Sequence, residues 1–293
     1  MKKSIVPYVF LSPFLLLYLV FFGGPVIVSL LTSFTEWNVM SPPKFTGLEN
    51  YINLLKDPTF WIAFKNTVII VITGNIITIG LALVLAVLIE EFIAFSLKKF
   101  FRTLFFIPEV ASLAVVAMIF SLIYNKEAGL LNGLLRTIGI NSTIGWLTNS
   151  RYAIWSIIAL RTWRVAGYFA VFIVAGLEAI PKETYEAAEI DGATSSTLFF
   201  KITLHLLKPI LLFIAVWSTV WGFVVFDEPW ILNQGGPGTS TLTIVMYLYM
   251  NGFRFFKLGY AATISYILTM IIFASSYFII KSRKSEGLEG FES

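Results

Sequence analysis

YEAAEIDGATSSTLFFKITLHLLKP, residues 185–209, lies between two long apolar runs and carries too many charges and hydroxyls to sit in hydrocarbon. Its chemistry is that of a compact docking element. Just before it, Pro181 suits a first helical position, and Glu183 and Glu186 favour the positive end of a helix dipole. Gly192 is a natural stop. The spacing predicts a short helix over 182–190, with Ala187 and Ala188 giving a smooth side that another protein can approach closely. Thr194, Ser195 or Ser196 then caps a second helix, which runs through Phe199 and Ile202 towards the next apolar run. Helix, Asp191-Gly192 turn and helix make a rigid elbow over 181–205. The same residues also fit an ordinary loop between spans.

The rest of the chain sets that polar segment apart. Its 293 residues are 57% hydrophobic and 13% charged, with 28 Phe and a mean hydropathy of +0.83. No soluble domain of that size hides so much apolar surface, so the fold class is an all-α membrane bundle. Apolar runs of spanning length occur at about 1–34, 67–89, 104–124, 153–180, 206–226 and 258–280, which makes six transmembrane helices. The first begins at Lys2 and Lys3 like a secretory signal. It then continues past Gly23, Gly24 and Pro25 with no small-residue cleavage site, and so reads as a retained span.

Six spans put both termini on one side. Of the 21 Lys and Arg, eleven fall on that side (Lys2, Lys3, Lys98, Lys99, Arg102, Lys182, Lys201, Lys208, Lys281, Arg283 and Lys284). Eight fall on the other side, in longer loops, and two lie inside a span. The density of positive charge places the termini and the elbow in the cytoplasm. Because the basic residues are spread through loops, nucleic acid is excluded as a partner. No cysteine is present, which removes disulfides, thiolate metal sites and a cysteine nucleophile. One histidine and no clustered carboxylates leave a metal without ligands.

Charges inside spans are expensive and therefore functional candidates. Arg161 and Arg164 share the fourth span with Tyr168, on one side at helical spacing. Either the three line a path and donate hydrogen bonds to hydroxyls or an anionic group, or the arginines snorkel to water. In the fifth span, WSTVWGFVVF (217–226) puts Ser218, Trp221, Gly222 and Val225 on one face, with Trp217 a turn earlier. An aromatic platform beside polar tips suits the flat C–H faces and hydroxyl rim of a sugar, although such tryptophans also serve at interfaces or in packing. Glu109 and Asn75 join the path or bond a neighbouring helix. His205 reads as a helix-end residue at the cytoplasmic boundary. Asp227 and Glu228 fall just beyond the fifth span and are expected in water.

Glu186, Ala187 and Ala188, then Gly192, then Ile202 and Leu204 of ITL, resemble the EAA motif of ATP-binding-cassette importer permeases, most closely the sugar-permease branch. The branch continues ITLP, and His205 stands here at the proline position. SFTEWN (33–38) with FTGLENYINLLKDPTFW (45–61), GLLNGLLRTIGINSTIGWL (129–147) and LNQGGPGTST (232–241) are similar to the outer segments of the same branch. The resemblance spans nearly the whole chain. In the last segment Gly235, Gly236 and Pro237 form either a structural turn or a contact with an external binding protein. Without GxxxxGK[ST], they are not a phosphate loop.

The resemblance implies a type I importer permease fold in a single transmembrane domain, residues 1–293, in the cytoplasmic (inner) membrane. It implies two ATPase subunits gripping the elbow at Glu186, Ala187, Ala188, Asp191 and Gly192, and holding ATP and Mg that this chain does not bind. It also implies a second, unlike permease subunit and an extracytoplasmic binding protein that delivers a di- or oligosaccharide to the region of Arg164, Tyr168 and Trp221. The two arginines leave a phosphorylated or acidic sugar open. A gradient-driven transporter would want intramembrane acids and an internal repeat, and offers only Glu109. An enzyme would want a nucleophile with a base, and none converges.

Overall fold

Tyr8–Ser33 forms the first long helix, α1, of the computed structural model, which describes residues 6–140 and 143–284. Lys2 and Lys3, and Asn141 and Ser142 of the 129–147 segment, lie outside the described residues. The helices that follow are α2 (Glu49–Lys56), α3 (Pro58–Phe92), α4 (Phe95–Val110), α5 (Leu113–Ile123), α6 (Leu130–Thr137) and α7 (Ser150–Glu178). Then come α8 (Lys182–Ile190), α9 (Ser195–Leu206), α10 (Lys208–Phe223), α11 (Asp227–Asn233), α12 (Ile244–Tyr249) and α13 (Leu258–Ser282). Two short strands, β1 (Thr35–Glu36) and β2 (Lys44–Phe45), pair antiparallel.

α1, α3, α7 and α13 are each long and apolar enough to cross a membrane. Two bent pairs bring the total to six when each is counted as one span: α4 with α5, bent by 92°, and α9 with α10, bent by 61°. The third span, expected over 104–124, begins upstream at Phe95 and turns sharply after Val110. Ala111 and Ser112 leave helical geometry with ψ of 145° and 121°, just after Pro108 has removed one backbone donor. The second bend falls at Leu207. His205 is not needed as a proline, because Pro209 opens α10 in the first helical turn, where its missing N–H costs nothing.

The chain folds as two compact units. Residues 61–244 with 271 onward make the larger one, built around α7. Ile157, Leu160, Ile70, Val116, Val225 and Leu232 form one apolar cluster in it; Ala86, Ile89, Phe169, Ile173, Leu207 and Ile214 form another. At Gly167 of α7 an added Cβ would lie 1.9 Å from the Phe105 carbonyl oxygen, so only glycine lets α4 come this close.

Residues up to 60 with 245–270 make the smaller unit. Its centre is Ser33. The Ser33 hydroxyl lies 2.8 Å from the Tyr51 hydroxyl, and its carbonyl accepts from Thr263 Oγ1 and Asn50 Nδ2, both at 3.0 Å.

Candidate functional site

The elbow forms where its residues place it. α8 runs over Lys182–Ile190, with Pro181 in extended geometry just ahead of it rather than inside its first turn. At the other end, Gly192 has φ +80°. Its N–H donates to the Glu189 carbonyl at 3.0 Å, and the Ala193 N–H donates to Ala188 at 2.9 Å. This pair of reversed bonds is the Schellman ending that a left-handed glycine permits. The Thr194 hydroxyl accepts from the Thr197 N–H and caps α9. Tyr185 and Thr203 hydroxyls, 3.0 Å apart, tie α8 to α9.

No residue of α8 is buried; Glu186, Ala187, Asp191 and Gly192 are exposed and Ala188 is half-buried. Ile190 is 87% exposed.

Upstream, the root of the elbow is held by ion pairs the sequence did not single out. Arg102 of α4 grips the Glu178 carboxylate with both terminal nitrogens, at 2.5 and 3.2 Å, and reaches Glu90 at 3.5 Å. Lys98 also meets Glu90, at 2.5 Å.

In the middle of α7, Arg161 and Arg164 do not snorkel. Their side chains are 11% and 16% exposed. Arg164 lies 3.2 Å from Glu109 Oε2 and 3.7 Å from Glu228 Oε1, and Arg161 lies 3.6 Å from the same Glu228 oxygen. Glu228, expected in water, is 3% exposed, because α11 folds back against α5 and α7 and carries it inward. Glu109 is the last residue but one of α4 and faces Arg164 at the bend. Two cations thus meet two anions. The distances are long and off-axis, so Glu228 Oε1, Glu109 Oε2 and Arg164 Nε are buried without a hydrogen bond among the described residues.

Tyr168 stays out of this cluster. Its ring packs on Phe106 and Phe172, at 5.7 and 5.0 Å between centroids. The ring contacts continue from Phe172 through Phe213, Trp217 and Trp221 of α10, at 5.9, 5.9 and 6.1 Å. Trp217 and Trp221 are 42% and 55% exposed. The four residues expected on one face of the fifth span are divided. Ser218 and Gly222 are buried, with the site of a Gly222 Cβ 3.0 Å from Val71, and Val225 lies past the end of α10 in an apolar cluster. Trp221 faces outward, and the i, i+4 stripe it forms with Trp217 and Phe213 was the signal for the aromatic row. Asn75 bonds a neighbouring helix, donating to Thr219 Oγ1 at 3.1 Å.

The Gly235-Gly236-Pro237 turn is closed from within. Gly235 has φ +85° and the Gly236–Pro237 bond is cis. The Gly236 carbonyl accepts from Asn233 Nδ2 and Thr241 Oγ1, at 2.6 and 3.0 Å, while Asn66 holds the Thr239 and Leu242 carbonyls. Gly236 and Pro237 also line a cavity of about 730 Å³ that reaches Lys126 and Thr148.

Residues 82–286, most of this helical arrangement, match the family described as binding-protein-dependent transport system inner membrane component. The chain belongs to that family. It is therefore a permease component of the inner membrane, in keeping with its several apolar helices. A relative in Bacillus subtilis, the probable ABC transporter permease protein YurN, is 38% identical over 97% of this chain and 98% of its own length. The arabinooligosaccharides transport system permease protein AraP of the same organism is 36% identical over 98% and 92%. Among solved structures, a bacterial ABC transporter that imports the acidic polysaccharide alginate superposes with a TM-score of 0.83, covering 96% of this chain and 95% of its own at 22% identity. The type I importer permease fold thus stands, with its third span bent.

Proposed function

We propose that this chain is one of two permease subunits of an importer for a neutral di- or oligosaccharide. An extracytoplasmic binding protein delivers the sugar, and separate ATPase subunits, which hold the ATP and Mg, drive the transport. Both termini and the elbow face the cytoplasm. The observation that carries this reading is the elbow itself: Ile190 stands bare on a helix closed at its Gly192 end and tied to α9 through Tyr185, as a lever gripped by a motor subunit requires. Ala187 beside it leaves room for close approach. Each ATP-driven closure pulls on α8, and the hydrogen-bonded turn at Gly192 passes the force to α9 and across the 61° bend to α10.

On α10 the exposed row from Phe213 to Trp221, continued by Tyr168 and Phe106, gives sugar rings a succession of apolar faces and forms this chain's half of the path. The arginines are matched by two carboxylates, which leaves no surplus positive charge for an acidic cargo. Likeness to an arabinooligosaccharide permease supports a neutral oligosaccharide.

The test is ATP-driven uptake by the reconstituted complex carrying Ile190→Asp or, separately, Gly192→Val. An added Cβ at Gly192 meets no atom within 4 Å, so Val acts by straining the left-handed turn. Uptake is expected to fall by about tenfold or more, a loss of at least 1.4 kcal/mol of coupling, while the complex stays membrane-inserted. Undiminished uptake in both variants overturns the lever.

A further inference from the structure

A second cavity, of about 450 Å³, opens in the smaller unit and lies within the size range of small-ligand pockets, roughly 300–1,000 Å³. Its back wall is rigid. Asp57 accepts from the Tyr247 and Tyr260 hydroxyls, and Asn50 is tied to the Ser33 and Thr35 carbonyls. Asn251, 3% exposed, donates to the Tyr247 carbonyl at 2.9 Å. Gly259 presses on Thr35 so closely that an added Cβ would lie 1.8 Å from its oxygen.

The front wall is the opposite. Trp37, Glu36, Asn53 and Lys257 line the same space, and none has a side-chain hydrogen bond or ion pair among the described residues. Asn38 gives its oxygen to Ser41 and keeps its amide N–H groups. An indole, two amides, one carboxylate and one ammonium thus converge, with donors and acceptors unspent. The free charges cancel, because Asp57 is already engaged. Such a lining recognises a neutral ligand that offers one apolar face and many hydroxyls.

We propose that this cavity is a saccharide subsite. Trp37 stacks on the C–H face of a sugar ring, while Asn38, Glu36 and Lys257 bond its hydroxyls and Asn53 lines the rim beside them. The proposal rests on the importer reading and extends it. With the termini in the cytoplasm, the connection from α1 to α3 faces outward, so the subsite holds sugar before it enters the path.

The chain has no cysteine, so Asn53→Cys gives it a single thiol inside the cavity. Met40→Cys gives one outside, at a residue 95% exposed and absent from the lining. Maleimide labelling of each is timed in the assembled complex, in membrane vesicles, with arabinotriose or lactose added, and uptake of the same sugars is measured alongside. One sugar is expected to slow labelling of Asn53→Cys about threefold at twice its dissociation constant and to leave Met40→Cys unchanged. Adding Trp37→Ala should abolish that protection, and Trp37→Tyr should keep it.

Uptake without protection overturns the subsite and leaves the importer standing. Protection without uptake keeps the subsite and removes the importer reading; neither effect overturns both. Slowing by the binding protein alone, with none by sugar, assigns the cavity to a protein contact and also overturns the proposal.

Discussion

Two charged clusters join α4 to α7 in the larger unit, and they are built on opposite terms. At the root of the elbow, Arg102 and Glu178 meet in a tight fork at 2.5 and 3.2 Å, yet their side chains are 27% and 45% exposed. In the middle of α7, Arg161, Arg164, Glu109 and Glu228 stand 3.2 to 3.7 Å apart with poor hydrogen-bond geometry, but Glu228 is almost wholly buried. The tighter cluster is the weaker one. A pair of unit charges 4 Å apart gains about 1 kcal/mol in water and about 4 kcal/mol at the effective dielectric of a protein. Side-chain entropy and salt erode the first figure further. In the middle of the span the decisive quantity is the cost of leaving a charge without its partner, which dwarfs any gain from shortening a bond.

The strongest way to break this contrast is Glu228→Gln. It keeps the shape and removes one of two negative charges from beneath two arginines. The expected cost is about 3–5 kcal/mol, seen as a collapse of the melting transition of the complex in detergent and loss of uptake. A melting curve unchanged from wild type would show that water reaches the arginines and that the contrast is empty. Removing a cation together with an anion sharpens it: Arg161→Met with Glu228→Met leaves the Arg164–Glu109 pair intact and is expected to recover most of the stability lost by Glu228→Gln. At the elbow root, Arg102→Ala is expected to cost no more than about 1 kcal/mol. That difference should vanish in about 1 M salt, where screening acts within about 3 Å. A salt-independent loss of uptake would instead make Arg102 part of the lever.

The unequal legibility of these regions follows from how far each depends on chain neighbours. The elbow was readable to the residue at Ile190 and Gly192 because a capped helix and a left-handed glycine are decided within a few positions. The apolar runs were readable because hydrocarbon imposes length. What escaped was the partnership of Glu228 with residues 64 and 67 positions earlier, since local polarity after α10 reads as water whether or not α11 folds inward. The bend at Ala111 was only half legible: Pro108 is a local signal for it, but the run over 104–124 has the composition of a single span, and both limbs pack on other helices. The aromatic row was half legible. Trp217 and Trp221 were picked out as candidates, but burial put Ser218 and Gly222 on the packed side and left the tryptophans on the free one.

Asp57 offers the gentlest probe of the same contrast, because the partners that lower its pKa are neutral hydroxyls and backbone N–H groups. Burial pushes its pKa up, but the hydroxyls of Tyr247 and Tyr260 and the Thr59 N–H outweigh that and hold it below its ordinary value of 3.8. Burial, reinforced by the Asp57 carboxylate, lifts Tyr247 to about 12, so its hydroxyl remains a donor at every working pH. A carboxylate with a lowered folded pKa adds stability above its unfolded value and loses it as pH falls through the folded one. Asp57→Asn should therefore lower the melting temperature slightly at neutral pH, where the carboxylate contributes, and flatten the decline of the wild type below about pH 4. Tyr260→Phe, which removes one donor, should raise the folded pKa of Asp57 and so make that decline shallower and complete at higher pH. The effect is small because the group is only partly buried, and neutral donors suffice where water still helps. If wild type and Asp57→Asn trace the same acid profile, the tyrosines are ornaments of the fold; if they separate, polarity without charge has done in the smaller unit what the larger one needed four ions to do.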